Sequence, residues 1–505
     1  MSLENASVVF LDQPIAEGCG DRAAFVTPAG RCTYHELHAL ADRAGQALRV
    51  RGVEPEQRVA LLLADGPGFA ATFFGALRIG SVAVPLGTRL APDELRRVLA
   101  DCRAKLLVGD PALLDAARSV FAELGVATTS FEALVADASP AGLRPDPVGL
   151  DAMAFWLYTS GTTGSPRAVV HPHRNLLACH HYAVDVLGVN SADRIFVTSK
   201  LFFAYALGNA LLIPLFARAS AYLSPDWADP GCVSAVLGAY RPTLFFSVPT
   251  FYAALLRADL PADSFASVRA CVSAGERLPA EIYDAWRRRF GIEILDGLGA
   301  TETIFMVLSN RPGQSRAGTT GMPVPGTEVR LLDADDRPVA DGEQGELWVK
   351  TSSVAAGYWN RLDQSRRTFV GEWFRTGDLY RREADGWYVH CGRDDDRFKV
   401  AGQWVAPVEL EAVVRRHPAV LDTGVVGAEE GRGLVKPFVF VVPRDSAAAT
   451  TLRAEVRTLI EQSLARHQWP RDILIVPELP RTATGKLQRY RLREEIAVRQ
   501  AGLRA

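Results

Sequence analysis

Tyr158-Thr-Ser-Gly-Thr-Thr-Gly-Ser-Pro-Arg167 lies between two apolar runs, Met153-Ala-Phe-Trp-Leu157 and Ala168-Val-Val170. The pattern predicts a turn between two strands that grips an anion. Gly161 and Gly164 let backbone N–H groups curl toward a negative charge. The hydroxyls of Thr159, Ser160, Thr162 and Thr163 add donors, and Arg167 adds a fixed positive charge that can fork onto phosphate. Polyphosphate is the guest that suits this donor set. An ordinary P-loop is excluded because no Lys-Ser or Lys-Thr follows Gly164 and no helix opens there. A plain Ser/Thr/Gly surface hairpin has the same composition, so the assignment depends on what accompanies the loop.

The chain has 505 residues, too many for one core, so three or four packing units are expected. It is 48% hydrophobic and 23% charged with a net charge of −2, which gives no general attraction to nucleic acid or to an anionic membrane. The 7 cysteines are scattered without C-x-x-C spacing, which suggests neither a disulfide framework nor a zinc site and fits a reducing cytoplasm. The start, Met-Ser-Leu-Glu-Asn-Ala, has no basic segment before an apolar one, and the apolar span Leu201 to Phe216 is broken by Asn209 and Pro214. Neither an export signal nor a membrane helix is expected.

From Asp21 to about Leu150, strand-like runs (Val59 to Leu63, Val82 to Pro85, Lys105 to Val108) alternate with helical patterns (Tyr34 to Arg51, Pro92 to Cys102), which predicts a parallel, doubly wound α/β unit. A second such unit follows the Thr/Ser/Gly loop, with strands at Arg194 to Val197, Ser220 to Leu223, Thr243 to Phe246, Ala270 to Ser273 and Glu293 to Leu295. From Gly318 the texture changes to short alternating strands, read as a small β-barrel or sandwich. The charged run Gly392 to Lys399 reads as a linker to a last α+β segment, giving domains 1–393 and 394–505. Within that last segment Pro480-Arg-Thr-Ala-Thr-Gly-Lys486 sets one lysine on a Gly/Thr-rich turn.

Together these strings resemble the adenylate-forming superfamily of acyl-CoA ligases, nonribosomal-peptide adenylation domains and luciferases, over nearly the whole chain. The motifs stand in family order: Tyr158 to Arg167, Leu298-Gly-Ala-Thr-Glu302, Arg375-Thr-Gly-Asp-Leu379, Gly392 to Glu411, and Pro480 to Lys486. More narrowly, Lys200-Leu-Phe-Phe-Ala-Tyr-Ala-Leu-Gly-Asn209, Ser273-Ala-Gly-Glu276 and Leu308-Ser-Asn-Arg-Pro-Gly313 resemble benzoate and anthranilate CoA ligases.

The resemblance implies ATP, Mg²⁺ and coenzyme A as partners of a small aromatic carboxylic acid. An acyl-AMP forms with loss of pyrophosphate and is then cut by the CoA thiol; a carrier-protein thiol is the alternative acceptor. It implies that Glu302 binds Mg²⁺ and Thr301 a phosphate oxygen. Asp378, supported by Arg393, would take the ribose hydroxyls, and Ala274, Gly275, Glu276, Asp296 and Gly297 would frame adenine. Lys486 would bridge carboxylate and α-phosphate, while Lys399 and Gly402 would serve the nucleotide and CoA side. Rotation at Asp395 would exchange Lys486 for Gly402. Ala204, Tyr205, Gly299 and Phe305 would line the aryl slot. Nothing in the sequence separates monomer from homodimer.

Two departures from the family bear on function. Arg167 stands where the loop usually has lysine, and Phe305 where the aryl-CoA relatives usually have histidine. Benzoate or an ortho-substituted benzoate such as anthranilate is therefore the expected acid. His171, His173, His180 and His181 read as hydrogen-bonded or solvated histidines near the loop, since Cys179 is the one ligand-type neighbour their spacing supplies.

Overall fold

The structure, a computed structural model, describes residues 4–136, 138, 142–160, 166–430, 434–445, 449–481 and 487–502. The chain divides into two compact units, Met1–Val329 with Val349–Arg375, and Arg330–Trp348 with Thr376–Ala505.

The first unit holds two sheets, as the alternation of strand and helix patterns predicts. One has seven strands in the order Gly357–Tyr358, Pro166–Pro172, Met153–Ser160, Val82–Pro85, Arg58–Leu62, Leu106–Gly109, Ala127–Thr129. The five from Met153–Ser160 onward are parallel, and Pro166–Pro172 runs antiparallel to Met153–Ser160. The second sheet has nine strands, with Ile294–Gly299, Ala270–Ser273, Leu244–Ser247, Arg194–Val197, Ser220–Tyr222 and Ala23–Thr27 forming its parallel centre. The strand Ala23–Thr27, which the sequence pattern does not mark, lies within the span of the first predicted α/β unit yet pairs with Ser220–Tyr222 of the second. Its buried pair Ala24 and Phe25 joins the apolar cluster that runs under both sheets.

Two helices of that cluster approach unusually closely. A Cβ on Gly75 would lie 2.8 Å from Gly45 N, and one on Gly45 would lie 2.9 Å from Gly75 O, so Tyr34–Val50 and Pro67–Arg78 meet backbone to backbone. At the end of Pro67–Arg78 the guanidinium of Arg78 is 1% exposed. It donates to Asp12 (2.6 Å) and Leu143 O (2.7 Å) and lies 2.7 Å from Asp42 Oδ1, so a buried cation is matched by two carboxylates and a carbonyl.

Between Ala204 and Phe216 the helix is α at each end and π over Leu207–Leu212. Asn209 explains the widening. Its amide donates to Tyr205 O (2.7 Å), the carbonyl that its own backbone N–H would take in an α-helix.

In the second unit, Val420–Glu430 and Leu434–Pro443 form an antiparallel pair, with Asp472–Ile475 parallel to the latter. Alternation along these strands sends Val425, Val439 and Val441 to a cluster with Leu410, Leu452 and Val456, and Val426, Phe438 and Phe440 to one with Leu492 and Ile496. Both faces are therefore covered. The segment after Gly318, expected as a small β-barrel or sandwich, forms a five-stranded sheet that includes Glu328–Leu332, Gln344–Lys350, Trp373–Arg382 and Tyr388–Arg393.

Arg78→Met leaves Asp42 buried without its cation. The expected cost is about 3 to 5 kcal/mol, as for breaking one side of a buried ion pair. Urea unfolding followed by a probe in the first unit measures it. A loss below about 1 kcal/mol would place this network among exposed ion pairs instead.

Candidate active site

The loop of the first motif is carried by a hairpin whose strands are those the apolar runs predict. Thr159 pairs with Arg167 and Ser160 with Pro166. Gly161, Thr162, Thr163 and Gly164 lie outside the described residues, but the register sets Arg167 across from Thr159 at the mouth of the loop. Farther along the same strand, His171 is buried and stacked on Phe155, with centroids 4.7 Å apart and planes 8° from parallel. Its Nε2 is 2.8 Å from Thr301 O, and its Nδ1 is 2.9 Å from Asn175 Nδ2. Asn175 is the donor in the second contact, so the ring carries its proton on Nε2 and donates to Thr301. Burial pushes the His171 pKa from 6.5 down to about 4, which keeps the ring neutral.

That bond holds the turn that presents Thr301 and Glu302. Thr303 Oγ1 accepts from Ala300 N (3.1 Å) and lies 3.1 Å from Phe305 O, closing the turn on itself. Ile304 sits at φ +55°, a left-handed conformation that a β-branched residue rarely adopts. Glu302 is 9% exposed. Its Oε1 accepts from Tyr358 Oη (2.7 Å), and the Arg167 guanidinium lies 4.7 Å from the centre of the Tyr358 ring. Arg167, Tyr358 and Glu302 thus form one line beside the hairpin. Burial and then the Glu302 charge push the Tyr358 phenol up, so it stays a donor.

Ser273 and Asp296 are paired on adjacent parallel strands. Burial drives the Asp296 carboxyl well above the ordinary range. Ala274 is buried, Gly275 turns at φ +89°, and Glu276 is half-buried in the turn after the Ala270–Ser273 strand. Gly297 and Gly299 have no room for a side chain: Cβ atoms there would lie 3.0 Å from Leu308 O and 3.1 Å from Phe305 O. Phe305 is buried, and its ring comes within 3.3 Å of where a Cβ on Gly208 would stand. Ala204 and Tyr205 pack against the same cluster, with the Tyr205 hydroxyl 3.1 Å from Ser247 O and 3.2 Å from Val272 O.

In the second unit Asp378 is the strand partner of Arg393, whose Nη1 is 3.5 Å from the Asp378 carboxylate. His390 Nε2 is 3.4 Å from the same oxygen. Gly377, at φ +72°, makes this possible, since a Cβ there would lie 2.9 Å from the Arg393 guanidinium. Arg393 Nε also donates to Asp395 (2.9 Å). Burial alone would lower the Arg393 pKa; Asp378, Asp395 and Asp396 overcome it and raise it. Lys399 lies 4.7 Å from the Trp404 ring centre. Ala401 (φ +49°) and Gly402 (φ +83°) are the central residues of a two-residue turn between Phe398–Val400 and Gln403–Val405.

Lys486 lies outside the described residues. The ends of its loop are tied together by a bridge between Arg481 and Leu487 and by Gln488 N donating to Pro480 O (2.8 Å). Next to it Arg489 donates to the buried Glu411 (2.5 Å) and to Asp396 (3.0 Å). Sequence reasoning missed Tyr358, Asn175 and this Arg489 network. Tyr358 and Glu302 are 56 positions apart, so no local spacing signals their pairing.

The AMP-binding enzyme family matches residues 13–359, and the C-terminal domain of AMP-binding enzymes matches 409–486. The chain belongs to the AMP-binding enzyme family. Within it, the chain is 41% identical to a 4-hydroxybenzoate–CoA/benzoate–CoA ligase of Rhodopseudomonas palustris, over 97% of this chain and 94% of that one. It is similar in structure to a benzoate CoA ligase from Burkholderia xenovorans LB400, with TM-score 0.91, 40% identity, and coverage of 97% of this chain and 100% of that one. An anthranilate CoA ligase in complex with anthranoyl-AMP is also similar, with TM-score 0.89, 34% identity and coverage of 97% of both chains. Like these AMP-binding relatives, the chain combines a large N-terminal α/β body with a smaller C-terminal domain. Among the described residues no helix is long and apolar enough to cross a membrane.

Burial also pushes His173 down to about 4, so two rings of this region refuse protons that the unfolded chain accepts from about pH 6.5 downward. Stability is therefore expected to fall as pH drops from 6.5 to 4. At pH 5 each ring contributes on the order of 2 kcal/mol to the loss. Glu411, whose carboxyl is held low by Arg489 and Arg415 against its burial, loses its contribution only at more acidic pH. Melting temperature against pH for wild type and His173→Gln checks this. Parallel curves between pH 5 and 6.5 would mean that the native His173 ring takes up the proton.

Proposed function

We propose that this protein is an ATP-dependent, AMP-forming aryl-carboxylate CoA ligase that activates benzoate or an ortho-substituted benzoate such as anthranilate. The Arg167–Tyr358–Glu302 line beside the nucleotide hairpin carries that reading. Full-length similarity to benzoate and anthranilate CoA ligases supports it.

In the first half-reaction the substrate carboxylate attacks the α-phosphorus of ATP and pyrophosphate leaves. Thr159, Ser160, Gly161, Thr162, Thr163 and Gly164 grip the phosphates, with Arg167 supplying fixed charge as its guanidinium rests on the Tyr358 ring. Thr301 holds a phosphate oxygen on a turn anchored by His171. Glu302 fits Mg²⁺: Tyr358 occupies Oε1 and so orients Oε2, the hard oxygen donor this ion prefers, and the ion when bound neutralises phosphate charge. Asp378, held by Arg393, accepts from the ribose hydroxyls, and Ala274, Gly275, Glu276, Asp296 and Gly297 frame adenine. Lys486 stabilises the charge that develops between carboxylate and α-phosphate. In the second half-reaction the CoA thiol attacks the acyl carbonyl and AMP leaves. Residues 394–505 turn about Asp395 between the two, withdrawing Lys486 and bringing Lys399 and Gly402 to the CoA side. The preferred acceptor is CoA, with a carrier-protein thiol as the alternative.

Lys486→Ala is expected to abolish pyrophosphate exchange while leaving most of the thioester rate from supplied aryl-AMP and CoA. Rapid-quench measurement of each half-reaction separates the two, and equal losses in both would refute the two-state use of residues 394–505.

The acid is selected by an apolar wall. Phe305, packed against Gly208, offers no hydrogen bond, so a para-hydroxyl pointed at it loses its partner at a cost of about 1 to 3 kcal/mol. That is about 5- to 150-fold in kcat/KM. Benzoate and 2-aminobenzoate are expected to exceed 4-hydroxybenzoate by that margin, and Phe305→His to narrow it. If 4-hydroxybenzoate is the best acid of the wild type, Phe305 does not face the para position.

A further inference from the structure

Two histidines left over from the nucleotide region converge with a carboxylate. The strand Pro166–Pro172 leads into the helix His173–Leu177 and then the short helix Cys179–Ala183, which carries His180 and His181. One further turn, closed by Val184 N and Asp185 N on His180 O, brings Asp185 back to the rings. His181 Nδ1 is 3.5 Å from Asp185 Oδ2, at the i,i+4 spacing of a helix face. The imidazoles of His180 and His181 have centroids 3.7 Å apart, although neighbouring helical residues ordinarily point in different directions. One ligand-type atom from each of the three residues lies within 4.8 Å of the others.

Two features prepare these rings to act as ligands. His180 Nδ1 is 3.1 Å from Leu177 O, a contact only an N–H can satisfy, so the proton is on Nδ1 and Nε2 carries the lone pair. A carbonyl fixing the far nitrogen of a ligating imidazole is the usual outer support of a metal site. The His181 ring is seated against Gly326, where a Cβ would stand 2.7 Å from Cε1 and Nε2. His180 and His181 are half-buried and Asp185 is exposed, so the cluster opens to solvent on the carboxylate side.

We propose that His180, His181 and Asp185 form a binding site for a transition metal ion of the Zn²⁺ class, with water completing the coordination. Two imidazole nitrogens and one carboxylate oxygen suit Zn²⁺, Co²⁺ or Ni²⁺ and disfavour Mg²⁺ and Ca²⁺, which take oxygen. Tetrahedral coordination at about 2.0 to 2.2 Å separates ligand atoms by about 3.4 Å, so atoms that lie within 4.8 Å of one another need to close by at most about 1.4 Å, within reach of side-chain rotation. The site is separate from the Mg²⁺ role proposed for Glu302.

The untagged full-length chain, in excess Mg²⁺, is titrated with Co²⁺ by ligand-field absorption and with Zn²⁺ by calorimetry. One equivalent of each is expected. His181→Asn and, separately, Asp185→Asn should weaken binding at least about tenfold and remove any Zn²⁺-induced rise in melting temperature. Asp185 is exposed, so its variant keeps the test valid if His181→Asn fails to fold. Absence of stoichiometric binding overturns the proposal. So does binding that survives both substitutions, including binding lost only when cysteines are blocked.

Discussion

One hydrogen bond, from the buried His171 ring to the carbonyl of Thr301, joins parts of the first unit 130 positions apart in sequence. The pair of bonds this ring makes, donating to Thr301 and accepting from Asn175, requires it to be neutral and in one tautomer. Burial settles the first condition, and Asn175, donating to Nδ1, settles the second. Asn175 also donates to Ser353 O, so the same amide reaches the segment that carries Tyr358. Tyr358 in turn is strand-paired with Val169, two residues from His171. The strand Pro166–Pro172 therefore follows the Thr/Ser/Gly loop at one end, and holds the Glu302 turn through His171 and the Tyr358 partner of Glu302 along its edge. Geometry at the candidate site is the geometry of that strand.

In the second unit the same logic uses charge instead of a neutral ring. Glu411 is 4% exposed yet keeps its proton off, because Arg489 and Arg415 are beside it and Val425 N donates to it. Arg489 also reaches Asp396, next to the residue assigned as hinge. The movement proposed about Asp395 would thus begin beside an ion pair made by Arg489, three positions after Lys486. Removing Arg489 leaves the buried Glu411 with only Arg415, 3.6 Å away, beside it, and removing Glu411 leaves Arg489 with Asp396 as its carboxylate partner.

Much of this was legible in the sequence because the two parallel sheets announce themselves in short, nearly uninterrupted apolar runs. Val82–Pro85, Arg194–Val197 and Ala270–Ser273 are strands at the limits expected from sequence. The strand Ala23–Thr27 lies in the sequence span of the first α/β unit but joins the sheet of the second, since an apolar run marks a strand without naming its neighbour. The site residues became legible through motif order, which spacing alone does not supply. Tyr358 and Asn175 act through contacts between distant segments, and nothing local distinguishes them from other buried polar side chains. Asp185 was overlooked although it stands four positions after His181, because its approach needs the extra turn beyond Ala183.

The π segment Leu207–Leu212 amounts to one residue more than an α-helix would use over the same rise. Ala204 and Tyr205 precede it and Ile213–Phe216 follow it, so the extra residue lies between the helix end that carries Tyr205 and the end packed in the core. Loss of a single residue there would restore α geometry and leave the two ends nearly in phase, because the wider turn absorbs the extra residue. Substitutions along this segment change one side chain at a time, whereas a one-residue deletion would change which side chains face inward over Leu207–Leu212 and leave both flanks in place. Variation in chain length at this point is therefore a change that the fold can confine to about one turn of helix.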